Sequence, residues 1–434
     1  MENEELLKFA YPTEIPSIIK VIGVGGGGGN AVSHMYQEGI RDVNFALCNT
    51  DEQAMLKSPV PVKLTLGYEI THGLGAGNKP EKAREAAEAS RKEIRDLLSD
   101  NTKMAFITAG MGGGTGTGAG SVVAGVAKEM GILTIGIVTI PFLFEGMKKI
   151  IQALKGVEAM EQNVDALLVI NNERLREIYS DLDVPNAFAK ADDTLTIAAK
   201  SISEMITIPG YINIDFADVD TTLRGGGVAI MSRGLAKGEN RVKIAIDEAL
   251  NSPLLSNNNV LKAKKILFHI AFGNDAPLLM EEMGEVNDFM SKFDSEIDVI
   301  WGTALDEELG DMVRVTILAT GFGVENVIPL SKKEAEKIEK QLNEEEEAER
   351  IKAEEEKRKY EEYLLQKYYD KYKSKLGKPY RCDPFIFSLN NLDDRETIEA
   401  VLNYPSFNRS RSVMVTIAKK AEAKRKAGEE DAEK

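Results

Sequence analysis

From Ile18 to about Pro329, short apolar runs alternate with breaks rich in Gly, Pro and Asn. SIIKVIGVG (17–25), VNFALCNTD (43–51), MAFITAGM (104–111), GILTIGIVTIP (131–141) and DALLVINN (165–172) are β-branched and near-continuously apolar, which predicts strands buried on both faces. Between them, NAVSHMYQEGI (30–40), the Ala- and Glu-rich 80–98, SVVAGVAKEMG (121–131) and 145–163 have helical composition or spacing. Strands alternating with helices predict a parallel sheet with crossover helices. After a helix expected to end before Pro209, GGGVAIMSRG, KKILFHIAFG, DVIWGTALD and VRVTILATGF predict further strands, with helices at 238–250 and 276–292. They predict a second, smaller α/β unit. The pattern changes near residue 330. Ser331 to Ser374 is dominated by Glu, Lys, Arg and Ala without a sustained apolar seam, which predicts a polar helix or tether rather than a coiled coil.

Composition narrows the function classes. In 434 residues, 54 Lys and Arg stand against 70 Asp and Glu, a net charge of −16 that argues against a general affinity for nucleic acid or acidic lipid. Two cysteines, Cys48 and Cys382, are too few for a disulfide framework or a zinc site, so a reducing cytoplasm is expected. The acidic start MENEELLKFA and the lack of any run near eighteen apolar residues predict neither export nor a membrane span.

The candidate chemistry lies at strand ends, where parallel sheets bind ligands. GVGGGGGNAV (23–32) holds Gly23, Gly25 and Gly28 in G-x-G-x-x-G spacing, with Asp51 ending the next strand; alone it is a weak dinucleotide signal. AFITAGMGGGTGTGAGS (105–121) is more specific. Glycines let successive N–H groups converge on an anion, the two threonines offer hydroxyls, and a helix amino terminus adds partial positive charge. The expected ligand is a phosphate chain, with helix–sheet packing explaining only one or two of the glycines. No G-x-x-x-x-G-K-[ST] motif occurs, which excludes a P-loop. His34, His72 and His269 form no pattern with a nucleophile and are expected to be surface or packing residues. In INIDFADV (212–219), Asp215 and Asp218 are three apart, a spacing that can aim two carboxylates at one water.

These motifs resemble the tubulin superfamily and, within it, the FtsZ family of bacterial cell-division GTPases. GGGTGTG carries the likeness together with GVGGGGGNAV, NTDEQA (49–54), THGLGAGNKP (71–80), PFLFEGMKK (141–149), NNERL (171–175), AFAKADD (187–193), INIDFADV, NSPLL (251–255) and RVTILATGF (314–322), in the family's order. The resemblance implies that Gly26, Gly27 and Asn30 line a guanine nucleotide. It implies that Gly112, Gly113, Gly114, Thr115, Gly116, Thr117 and Gly118 cradle its phosphates. Thr139, Glu145 and Lys149 would approach the ribose and phosphates, Asn172 and Asp192 would read guanine, and Phe188 would stack near it. A carboxylate can accept both N1–H and N2–H of guanine, which selects GTP over ATP; Asp193, next to Asp192, is equally available for that role.

By the same resemblance, INIDFADV lies at the far end of the subunit and completes the neighbour's active site, with Asp215 and Asp218 polarising water and Asn213 nearby. The implied architecture is an N-terminal segment (1–17), a GTP-binding domain (18–185), a central helix (186–209) and an activating α/β domain (210–325). A charged linker (326–396) and a partner-binding tail (397–434) come after it. The implied protein is a GTPase of the cytoplasm that polymerises head to tail into the division ring. It would hold Mg²⁺ mainly through phosphates and water, with no protein metal site, and bind membrane-anchoring and regulatory division proteins through NYPSFNRSR (403–411). The alternatives are a related filament protein for plasmid or cell-shape work, a non-hydrolysing nucleotide-binding polymer, or a Rossmann-type dehydrogenase. Lys149, where the family commonly carries Arg, and Asp220, where a basic residue is usual, depart from its pattern.

Overall fold

The computed structural model describes residues 17–179, 181–251, 260, 263–293, 297–323 and 395–402, with 340, 355, 356, 359 and 415 singly. NSPLL from Ser252 onward, nearly all of the charged linker and the NYPSFNRSR tail lie outside the described residues. The chain forms two compact units, 1–342 and 343–434. In the second, the helix Arg395–Leu402 is the element described.

The first unit opens with β1 (Ile19–Val24), α1 (Gly25–Gln37), β2 (Val43–Asn49), α2 (Glu52–Leu56), β3 (Val62–Thr65) and α3 (Tyr68–Thr71). It continues with α4 (Pro80–Ala89), α5 (Arg91–Leu97), β4 (Met104–Gly110), α6 (Gly114–Glu129), β5 (Leu133–Ile140), α7 (Met147–Asn163), β6 (Ala166–Asn171) and α8 (Asn172–Ile178). The central helix α9 (Val184–Thr207) leads to β7 (Gly210–Ile212), α10 (Phe216–Leu223), β8 (Gly227–Lys237) and α11 (Arg241–Leu250). β9 (Lys265–Phe272), α12 (Glu282–Met290), β10 (Asp298–Leu305) and β11 (Met312–Phe322) complete it.

All five strands expected before residue 180 form, and β1, β2, β4, β5 and β6 pair in parallel. Every residue of β5 is buried. Ile135 and Ile137 face one core cluster while Val138 and Ile140 face the other, so the run is apolar without alternation because helices cover both faces.

The structure differs from the sequence expectation in three respects. The smaller unit does not have a sheet of its own. β8 pairs in parallel with β6 through Ala166↔Gly227, Leu167↔Val228 and Leu168↔Ala229, giving one eleven-stranded sheet in the order β3-β2-β1-β4-β5-β6-β8-β11-β9-β10-β7. The short strands β3 and β7 are too brief to show a period, and no sequence signal predicts them. The glycine runs are themselves helical: α1 begins at Gly25 rather than Asn30, and α6 at Gly114 rather than Ser121. Packing overrides the low helix propensity of glycine there.

The central helix α9 is anchored at its start and along one face. Its N-cap Asp183 accepts the Asn186 amide and Pro185 lies in the first turn. Its buried stripe, which includes Leu195, Ala198, Ala199, Ile202 and Met205, packs into the core cluster shared with β1 and β5.

Candidate functional site

The carboxyl end of β1 runs directly into α1, and that of β4 reaches α6 through the three-residue turn Met111, Gly112 and Gly113. Neither helix has a side-chain cap or an acidic residue in its first turn, so their leading N–H groups have no intrahelical acceptor and no neutralising charge. Two such ends lie side by side. A Cβ on Gly25, whose φ is +74°, would sit 2.7 Å from the Gly116 amide nitrogen. The pair makes an anion site that phosphate can fill.

The glycines divide into two groups. A Cβ would fall 2.4 Å from the Gly110 carbonyl oxygen at Gly116, 2.0 Å from the Pro80 oxygen at Gly118, and 2.1 Å from the Thr108 oxygen at Gly28. At Gly114 it would lie 3.0 Å from the Lys79 nitrogen. These positions are glycine because backbone passes against backbone, and packing accounts for more of the run than the sequence suggests. At Gly26 and Gly113 a Cβ would meet nothing within 4 Å. Gly26, Gly27 and Asn30 are exposed and Gly113 and Thr115 half-exposed, so this is the surface open to a ligand.

The hydroxyls divide similarly. Thr117 is buried and its Oγ1 accepts the Gly112 amide at 2.9 Å, so that group holds the turn. Thr115 Oγ1 lies 2.7 Å from Thr50 Oγ1 at the end of β2. Sequence reasoning misses Gln152, whose Nε2 donates to the Gly112 and Gly113 carbonyls at 3.1 and 3.0 Å. One polar residue in an otherwise amphipathic helix gives no signal of that role.

Beyond the glycine turns, Thr139 lies near the end of β5 and its carbonyl accepts the Met111 amide at 3.0 Å. Glu145 Oε1 accepts the Phe142 amide at 2.9 Å, and Oε2 lies 3.3 Å from Lys149 Nζ. Lys149 is therefore held in an ion pair one helical turn from Glu145. Buried Phe142 meets the exposed ring of Phe188 edge-on, with ring centroids 5.1 Å apart. Asn172 is buried just after β6, at the start of α8, and its Oδ1 has no hydrogen-bond partner among the described residues. A buried orphan acceptor is costly and calls for a ligand donor.

On α9, the Asp192 carboxylate accepts no hydrogen bond among the described residues, and burial pushes its pKa up to about 6. Asp193 is already engaged, by His34 Nε2 at 2.8 Å and Lys190 Nζ at 3.4 Å. The ambiguity between the two acids is thereby reduced: Asp192 is the one left unpaired.

The acidic segment is elsewhere. Asp215 Oδ1 accepts the Asp218 amide at 3.0 Å and Asp218 Oδ2 the Asp215 amide at 3.1 Å, a capping box on α10. Asn213 Oδ1 accepts the Gly210 amide at 2.6 Å. Asp220 pairs with Arg224 at 2.6 Å, and Arg224 reaches Asp165 at 3.8 Å and the Gly131 carbonyl at 3.5 Å. Asp165 and Gly131 precede β6 and β5, so α10 ends at the amino-terminal edge of the parallel sheet, opposite the carboxyl ends of β1 and β4 that carry the glycine turns. Phe188 and Asp192 occupy the early turns of α9, whereas Asp215 lies beyond its last residue. From Asp192 to Thr207 the helix axis alone spans roughly 22 Å.

The model of the "Tubulin/FtsZ family, GTPase domain" matches residues 18–180, and that of the "FtsZ family, C-terminal domain" residues 227–323. The chain is 51% identical over 425 residues to the "Cell division protein FtsZ" of Porphyromonas gingivalis, covering 94% of this chain and 89% of that protein. It is 44% identical over 310 residues to the protein of the same name from Aquifex aeolicus, covering 71% and 83%. Among solved structures, "FtsZ dimer, empty" from M. jannaschii superposes with a TM-score of 0.66 at 39% identity, covering 71% of this chain and 89% of that one. CetZ1 from Haloferax volcanii, at 20% identity and a TM-score of 0.62 over 74% and 99%, shares the fold.

Proposed function

This chain belongs to the Tubulin/FtsZ family of GTPases, and on that premise we propose a polymerising protein of the division ring whose hydrolytic site is completed by the next subunit. It binds guanine nucleotide and hydrolyses GTP. The observation that carries the shared site is the separation along α9: the unpaired Asp192 and the glycine turns lie at one end, the Asp215 and Asp218 carboxylates beyond the other. No side-chain rearrangement spans that length, so a second copy, stacked head to tail, has to supply the acids.

In this reading the open amides of Gly26, Gly27 and Gly113, with Asn30 and Thr115, hold the phosphates. Thr139 and Glu145 border the ribose. Asn172 and Asp192 accept from the guanine edge and Phe188 covers its face. Gly112, Gly114, Gly116, Thr117 and Gly118 shape the cradle rather than touch the ligand through side chains. Magnesium accompanying the nucleotide would neutralise phosphate charge, held by phosphate oxygens and water; among the described residues no group of three or more His, Cys, Asp or Glu side chains could hold a metal ion.

From the neighbour, Asp215 and Asp218 each have one oxygen outside the capping box. An ionised carboxylate there takes a proton from the attacking water as its oxygen bonds to the γ-phosphorus, and the bond to the β-phosphate bridging oxygen breaks. Asn213 orders the segment. Lys149, paired with Glu145, offers a point charge where a guanidinium would bind bidentately.

Residues 397–434 are proposed to bind membrane-anchoring and regulatory division proteins, which keeps the polymer in the cytoplasm at the division site. No helix among the described residues is long and apolar enough to cross a membrane. The plasmid or cell-shape filament is the weaker alternative, because the curated relatives at 44–51% identity bear the cell-division name. Phosphate release measured against protein concentration tests the shared site. Turnover per subunit should be near zero below a threshold and rise above it; a constant value at every concentration would refute it.

A further inference from the structure

His34 is the one histidine on α1, the helix whose amino terminus forms part of the anion site, and it lies near that helix's other end. Its Nε2 reaches across to α9 and meets Asp193 Oδ1 at 2.8 Å. A carboxylate can only accept, so Nε2 carries the hydrogen. Lys190, one turn earlier on α9, approaches the other oxygen of Asp193 at 3.4 Å and stands 5.2 Å over the Tyr179 ring. Asp193 is thus held on both oxygens, while Asp192 has neither engaged among the described residues.

We propose that His34 is a positioning residue for base recognition: by holding Asp193 it divides the adjacent acids into one structural and one ligand-facing carboxylate, leaving Asp192 to accept from guanine. The inference rests on the reading that Asp192 contacts the base. It adds a residue that touches no nucleotide yet governs the one that does.

The charged groups acting on Asp192 are His34 from α1, which favours the ionised form, and Asp193 from its own helix, which opposes it; burial opposes it most. Guanine's N1–H and N2–H need the ionised form. Affinity should therefore be full above the Asp192 pKa of about 6 and fall as pH drops through it. His34 and Asp193 shift that midpoint in opposite directions.

The test is GDP binding to the full-length, nucleotide-free chain by calorimetry between about pH 5 and 8. His34→Ala should weaken binding and move the midpoint up by roughly half a pH unit. Asp193→Asn should move it down, and His34→Arg should restore the parental midpoint by supplying a donor and a positive charge. A uniform loss at every pH in His34→Ala, with the midpoint unmoved, would reduce His34 to a packing residue and overturn the proposal. Asp192→Asn separates the two ideas. If that variant binds GDP as the parent does, the base-reading role fails and this inference with it. If it loses GDP while His34→Ala leaves the midpoint in place, only the role of His34 fails.

Discussion

Asp215 and Asp218 cap each other: each carboxylate accepts the other's backbone amide, at 3.0 and 3.1 Å. The i,i+3 spacing that suggests two acids aimed at one water is therefore also the spacing of a helix start. The two uses are compatible, because each carboxylate has two oxygens and the cap takes one.

That double duty separates two substitutions. Asp215→Asn keeps an amide oxygen to accept the Asp218 N–H, so folding and GTP binding should match the parent while hydrolysis falls roughly 10²–10⁴-fold. Asp215→Ala should lose the same activity and about 1 kcal/mol of stability besides, through the missing cap. Phosphate release and thermal unfolding, measured together, check both.

The glycines predict a second contrast. Gly118→Ala puts a methyl 2.0 Å from the Pro80 oxygen, so α4 and α6 must move apart, and overpacking of this kind costs roughly 1–3 kcal/mol or more. Gly26→Ala meets nothing within 4 Å and should fold normally, its effect confined to nucleotide affinity. Unfolding midpoints with and without GDP distinguish them: Gly118→Ala lowers both, Gly26→Ala only the midpoint with GDP.

Asp192 predicts a trade of stability for binding. Its folded pKa is raised from 3.8 to about 6. The folded state therefore holds the proton more tightly than the unfolded one, and ionisation works against folding. The penalty is absent below about pH 4, grows between the two values, and is complete above about 6. Asp192→Asn should thus stabilise the nucleotide-free protein at neutral pH, by up to about 3 kcal/mol, and bind GTP more weakly. The gain should vanish in unfolding measured at pH 4.

The sequence makes the strands, the crossover helices and the position of the glycine turns legible, because apolar period and glycine punctuation are local signals. What each glycine does is not local: Gly118 is needed because of Pro80, and Gly28 because of Thr108. Gln152 carries no pattern, since its partners are carbonyls about forty residues away. The continuation of the first sheet into the smaller α/β unit depends on three residue pairs between β6 and β8, a tertiary contact that no run of apolar residues announces. The choice between Asp192 and Asp193 is open in sequence, and His34, on another helix, narrows it.

In the proposed filament, the acids of one subunit serve the nucleotide of its neighbour. The most direct measurement adds Asp215→Asn protein to a constant amount of parent protein, well above the assembly threshold, and tracks phosphate release. A site completed by the neighbour makes activity fall below that of the parent alone, because each mutant loop inserted into a filament silences a parental nucleotide. Activity that stays at the parental level across the series would contradict it, since each chain would then be hydrolysing its own GTP.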